Sequence, residues 1–255
     1  MQFASTILAT ALTLVMSQLA EATEIKVASG GAFKQVLTAL ATQYETESGN
    51  KLDVTYQTVG QHLTLIASGQ EQFDVAVLTP EAIDGLIKDG KVVAGSRADL
   101  AKVGVGVVVK AGAPLPDIST VDAFKRTLLA AKSVAYIDPA AGGSSGIYVA
   151  RLLERLGIAS AVNAKAKLIQ GGAVADHIAD GEAEIGIHQI SEILPVQGVV
   201  LVGPLPAEIQ NFTVYSAGVG AAAKDGATAS ALVKFLSGPH AVPIIKAKGM
   251  EPASS

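Results

Sequence analysis

From Thr23 onward, short apolar runs alternate with longer amphipathic ones, the pattern of an α/β fold. Residues 24–28, 52–56, 73–78, 133–137, 165–169 and 184–187 are short, often β-branched and bounded by turn residues, which predicts strands. Phe33, Val36, Leu37, Leu40 and Tyr44 recur at helical spacing between two of them. Val149, Leu152, Leu153 and Leu156 do so again, ahead of Gly157 as a C-cap residue. Residues 228–236 and 239–248 predict two closing helices. Two long extended stretches rich in small residues, 102–110 and 213–221, read as paired crossover strands between two lobes. The expected plan is a hinged clamp with a ligand cleft between its lobes. Residues 23–105 and 221–255 form lobe 1 and residues 106–220 form lobe 2.

The N-terminus follows another pattern. Residues 2–20 carry no charge, residues 7–16 are largely apolar, and Ala20-Glu21-Ala22 fits a small-residue cleavage site. This predicts a signal peptide over residues 1–22, cleaved after Ala22, and a periplasmic mature chain beginning at Thr23.

Composition narrows the function. With 255 residues, 49% hydrophobic and 16% charged, the chain is too apolar for disorder and long enough for two cores. Nineteen Lys and Arg against 23 Asp and Glu leave no basic excess, so nucleic acid is not an expected partner. The absence of Cys removes thiolate chemistry and Cys-based zinc. The four His, at 62, 177, 188 and 240, lack metal-ligand spacing, and no metal is expected. No lysine of a nucleotide-binding loop follows Gly142-Gly143-Ser144-Ser145-Gly146, and that run lacks the frame of a hydrolase elbow. No cofactor is therefore expected.

In α/β sheets a ligand sits beyond the carboxyl ends of strands, where helix N-termini present free N–H groups. Four junctions share that chemistry: Ser29-Gly30-Gly31, Thr58-Val59-Gly60-Gln61, Gly142 to Gly146, and Gln170-Gly171-Gly172. Each combines Gly, for close backbone approach, with neutral hydroxyls or amides that donate to an anion. Any one of them also reads as a helix cap or a tight turn. The candidate ligand set is Ser29, Gly30, Gly31, Thr58, Gly60, Gln61, Ser144, Ser145, Gly146 and Gly172, joined by His188 and Gln189 after a predicted strand. Arg97, Arg151 and Arg155 read as surface residues.

Five segments resemble the periplasmic molybdate-binding-like proteins, type II solute-binding components of ABC transporters. They are Ile25-Lys26-Val27-Ala28-Ser29, Phe73-Asp74-Val75-Ala76-Val77, Asp138-Pro139 leading to Ser145-Gly146-Ile147-Tyr148, Gly181 to Ile187, and Val233-Lys234-Phe235-Leu236 before Ser237-Gly238-Pro239. The resemblance implies an α/β fold of two lobes, the type II periplasmic-binding-protein fold, a monomer, a small anionic ligand and an ABC permease as partner. In that family the oxyanion is held by two serines, backbone N–H groups and a tyrosine. Ser29 matches the first serine, Thr58-Val59-Gly60 replaces the second, and Gln189 holds the tyrosine position. These departures favour a di- or tricarboxylate over molybdate. The family also resembles the parent of an exported enzyme, aconitate isomerase, which implies a second function: cofactor-free proton transfer between trans- and cis-aconitate. For that chemistry His188 is the expected base, with His62 and Tyr148 as alternatives.

Overall fold

A computed structural model describes residues 22–253. The expected signal peptide lies outside these residues apart from Ala22. The chain opens with β1 (Glu24–Gly30), a 3-10 turn (Gly31–Phe33), α1 (Lys34–Ser48), β2 (Lys51–Gln57), α2 (Val59–Ala67), β3 (Val75–Leu78) and α3 (Pro80–Lys88). The long β4 (Ala98–Lys110) leads to α4 (Val121–Ala130), β5 (Val134–Ile137), α5 (Ser144–Arg155), α6 (Ala159–Asn163), β6 (Ala166–Ile169) and α7 (Val174–Ala179). Then come β7 (Ile185–Gln189), α8 (Ile190–Ile193), β8 (Val199–Pro204), β9 (Phe212–Val219), α9 (Gly226–Leu236), α10 (Ala241–Ala247) and β10 (Glu251–Pro252).

These strands form one continuous path, β2-β1-β3-β9-β4-β7-β5-β6, with β8 and β10 also on β4. It works as two sheets because β4 changes partners halfway. Its residues 98–104 pair with β9, and from Val105 onward it pairs with β7 and β8. Each sheet is covered on both faces, which explains the near-continuous apolar strands. Alternation along β3 sends Val75 and Val77 into a core with α1, α9 and α10, while Ala76 and Leu78 join α2 and α3 on the other face. The second sheet repeats the arrangement, with Val105, Val107 and Val109 facing α4 and α5, and Val108 facing α7.

The predicted face of α1 is buried as spaced, through Val36, Leu37, Leu40 and Tyr44, and α5 ends ahead of Gly157 at φ 71°. The expected lobe boundary near residue 220 shifts. All of β9 hydrogen-bonds to β3 and to the first half of β4, so it belongs to the first sheet. By sheet membership the return crossing runs through residues 205–211 instead. Among the described residues, no helix is long and apolar enough to cross a membrane.

Candidate functional site

A cleft of about 760 Å³ is lined by residues from both sheets. The first lobe contributes Gly30, Gly31, Lys34, Tyr56, Thr58 and Tyr215; the second contributes Ser144, Ser145, Gly172, Asp176, His188, Gln189 and Glu192. Ser144 and Ser145 open α5, whose N-cap is Gly143 with no side-chain cap and whose first turn has no acidic residue. The free N–H groups of that turn therefore carry their partial positive charge uncompensated.

His188 is the penultimate residue of the buried strand β7 and is 2% exposed. Its Nε2 lies 3.2 Å from Glu192 Oε2, and its Nδ1 is buried with no hydrogen-bond partner among the described residues. Burial lowers the His188 pKa to about 3. Burial also raises the Glu192 carboxyl to about 8, against the opposing pull of Lys34. Both groups are thus neutral near pH 7, because taking either charge out of water costs more than their mutual attraction returns. Tyr215 donates to Gln189 Oε1 at 3.2 Å, and Gln189 Nε2 donates to Thr213 Oγ1 at 3.1 Å. Burial, reinforced by Glu192, pushes the Tyr215 hydroxyl well above its usual range. That hydroxyl stays protonated and remains a donor.

The structure separates the expected ligand set into three groups. Gly30, Gly31, Ser144, Ser145, Gly172, His188 and Gln189 line the cleft. Thr58 lines it too, but its hydroxyl donates to Ala141 O across the lobes and accepts from the Gln61 N–H. The Gly60 N–H donates to Gly142 O at 3.1 Å, and Gln61 Nε2 donates to Gln170 O at 3.3 Å. The α2 N-terminus therefore spends these donors on the opposite lobe, where a ligand was expected. Gly60 and Gly142 permit the approach, since a Cβ on either would meet the other's Cα within 2.7 Å. Ser29 and Gly146 are packing positions. Ser29 is fully buried with its hydroxyl on Gly30 O, and a Cβ at Gly146 would stand 2.2 Å from Ile137 O.

The alternative proton-transfer residues leave the cleft as well. His62 is buried between Glu71 and Ser29 O, and the Tyr148 hydroxyl donates to Ile209 O. Arg97 pairs with Asp84 at 2.6 Å on the surface, as expected. Among the described residues no cluster of His, Cys, Asp and Glu could hold a metal ion.

Sequence reasoning missed Glu192 and Tyr215. The signal available was the Gly30-Gly31 pair, because a Cβ at Gly30 would meet the Tyr215 ring at 2.6 Å and one at Gly31 would meet Glu192 Oε1 at 2.7 Å. These glycines are sockets for two side chains as well as cleft lining. Of the expected donors, Ser145 stays best placed, buried and at the start of α5. Replacing Ser145 by Ala should weaken anion binding about ten- to a hundredfold, the worth of one hydrogen bond to a charged group. Calorimetric titration with citrate checks this, and unchanged affinity assigns Ser145 to packing alone.

Comparison with known proteins agrees with this fold. The model of a bacterial extracellular solute-binding protein family matches residues 25–251. An aconitate isomerase from Pseudomonas sp is 35% identical over 239 residues, 90% of this chain and 88% of that protein. A molybdate-binding protein from Azotobacter vinelandii is 30% identical over 241 residues, 90% of each chain. Among solved structures, the Azotobacter vinelandii periplasmic molybdate-binding protein superposes with TM-score 0.77 at 22% identity, covering 89% of this chain and 98% of that one. The sulfate-binding protein of Mycobacterium tuberculosis follows at TM-score 0.74 and 19% identity, covering 91% and 88%. The fold is thus the type II periplasmic-binding-protein fold, and the chain belongs to the bacterial extracellular solute-binding protein family.

Proposed function

We propose that the protein is an exported isomerase that moves a proton along an unsaturated tricarboxylate, interconverting trans- and cis-aconitate without a cofactor. The observation that carries this reading is the Glu192–His188 pair inside the anion cleft. A receptor for an inorganic oxyanion holds its ligand with fixed donors and has no use for a group that exchanges a proton near the working pH. A proton-shift enzyme needs one group that takes a proton and gives it back, with a pKa near the working pH. Glu192, raised to about 8, meets that need. His188, lowered to about 3, is a weak base, so the role expected of it passes to its neighbour. The 35% identity to an aconitate isomerase supports the same reading.

The chemistry is balanced within the substrate. Glu192, as carboxylate, takes a proton from the methylene carbon, and the electron pair spreads over the allylic carbons and their carboxylates. A proton returns to the former alkene carbon, so the double bond moves by one position and no atom is gained or lost. Ser144, Ser145 and Lys34 hold the carboxylates, and the free N–H groups at the start of α5 donate to the enolate-like charge as it develops.

A receptor that binds a polycarboxylate and delivers it to an ABC permease is the second reading. It is favoured by the neutral donors Ser144, Ser145 and Gln189, which hold an anion without any reactive group. Turnover separates the two. Metal-stripped protein given trans-aconitate should produce cis-aconitate at a rate proportional to the Glu192 carboxylate. The rate should therefore rise roughly tenfold per pH unit below the midpoint near 8 and level off above it. Tight binding of trans-aconitate with no product at any pH removes the isomerase and leaves the receptor.

A further inference from the structure

We propose that Gly31 and Ser191 are positioning residues that seat the Glu192 carboxyl in the cleft, and that the seat forms across the two lobes. Two independent contacts carry this. Ser191 is fully buried, and its hydroxyl donates to Ala32 O at 2.8 Å, tying α8 of the second lobe to the 3-10 turn after β1 of the first. One residue on, Glu192 Oε1 occupies the space that a Cβ on Gly31 would take, at 2.7 Å. Ile190, at the other end of the same short helix, packs on the core of the first lobe, whereas Ile193 belongs to a core of the second. The four residues of α8 are thus held from both sides.

The seat governs what the carboxyl can do. Titratable groups around it are His188 on β7, Tyr215 on β9 and Lys34 on α1, with Asp176 of α7 and Asp180 just after that helix on the same cleft. Lys34 and Asp176 are exposed, and Glu192 itself is 16% exposed. A displaced carboxyl would gain water or Lys34 and lose the desolvation that keeps it protonated. A methyl group at Gly31 clashes only with the far end of a flexible side chain, so Gly31→Ala moves Glu192 and leaves the backbone intact. The proposal rests on the isomerase reading for the task of the carboxyl, but not for its position.

The test is NMR titration of the full chain with isotope-labelled glutamate, Glu192→Gln serving to assign the signal. In the parent protein the Glu192 carboxyl should titrate near 8. In Gly31→Ala its midpoint should fall by at least about one unit, and in Ser191→Ala it should fall in the same direction, because lost burial favours the charged form. Ser191→Thr, which keeps the hydroxyl, should restore it. In turnover, Gly31→Ala should lower kcat about tenfold with KM nearly unchanged, and the pH profile should shift with the NMR midpoint. An unchanged Glu192 midpoint in both Gly31→Ala and Ser191→Ala overturns the seat. The titration reads position without turnover, so a protein that never isomerises aconitate but shows the shifts keeps the seat and loses only the enzyme.

Discussion

Glu192→Gln should lower the isomerisation of trans-aconitate by about 10²–10⁴-fold, the loss expected when a positioned general base is removed. The substitution keeps the side chain's shape and its place 3.2 Å from His188 Nε2, so trans-aconitate should still bind. Its effect on stability has a definite sign. The folded-state pKa of Glu192 is raised from 4.5 to about 8, so its contribution is complete below about 4.5 and is lost as pH rises through about 8. The parent protein should therefore lose more melting temperature between pH 4.5 and pH 8 than Glu192→Gln, whose amide does not titrate. Turnover and melting measured in parallel check both halves. Full activity in the variant would move the base elsewhere, and identical pH–melting curves would place the carboxyl in water.

The largest expected stability effect belongs to His62→Ala. His62 is fully buried, with Nδ1 within 2.9 Å of both Glu71 carboxylate oxygens and Nε2 at 3.0 Å from Ser29 O. Removing the ring strands a carboxylate that is 11% exposed, orphans a carbonyl and leaves a cavity. Breaking such a buried pair costs about 3–5 kcal/mol. At this chain length that corresponds to a drop in melting temperature of roughly 6–20 °C. Circular dichroism melting decides it. A variant that melts like the parent but fails to turn over would return His62 to the catalytic role that the geometry denies it.

The contrast between His62 and Glu192 shows what the linear pattern can carry. Strands and helices with a repeating apolar face were legible: β1, α1, α5 and the long strands β4 and β9 lie where the pattern puts them, since burial of one face repeats every two or 3.6 residues, although β9 stays within the first sheet and is not the return crossing. The Ser-Gly and Gly-rich junctions that line the cleft were legible too, because strand-to-helix turns concentrate there. Ser29 lies outside the cleft lining, and the alternation along β1 accounts for its place. It lies two residues beyond Val27, whose side chain is in the core against α1, so the hydroxyl shares that inner face. Nothing local distinguishes Glu192. Ser-Glu-Ile in a single helical turn reads as a solvated stretch, and the carboxyl becomes buried only because α8 docks against the turn at Gly31 and Ala32, some 160 residues earlier in the chain. Likewise Thr58 has the sequence of an anion-binding helix start, and its capping box with Gln61 forms as that sequence dictates. Only the tertiary approach of Ala141, Gly142 and Gln170 turns those donors to the other lobe.

The central claim, proton transfer on an unsaturated tricarboxylate by Glu192, is tested most directly by following trans-aconitate in deuterated water by NMR with the metal-stripped protein. The account predicts cis-aconitate carrying solvent deuterium at the former alkene carbon, with deuterium also entering the methylene of recovered substrate, and predicts that Glu192→Gln abolishes both. Saturating binding of trans-aconitate with no deuterium at either carbon and no cis-aconitate would contradict it.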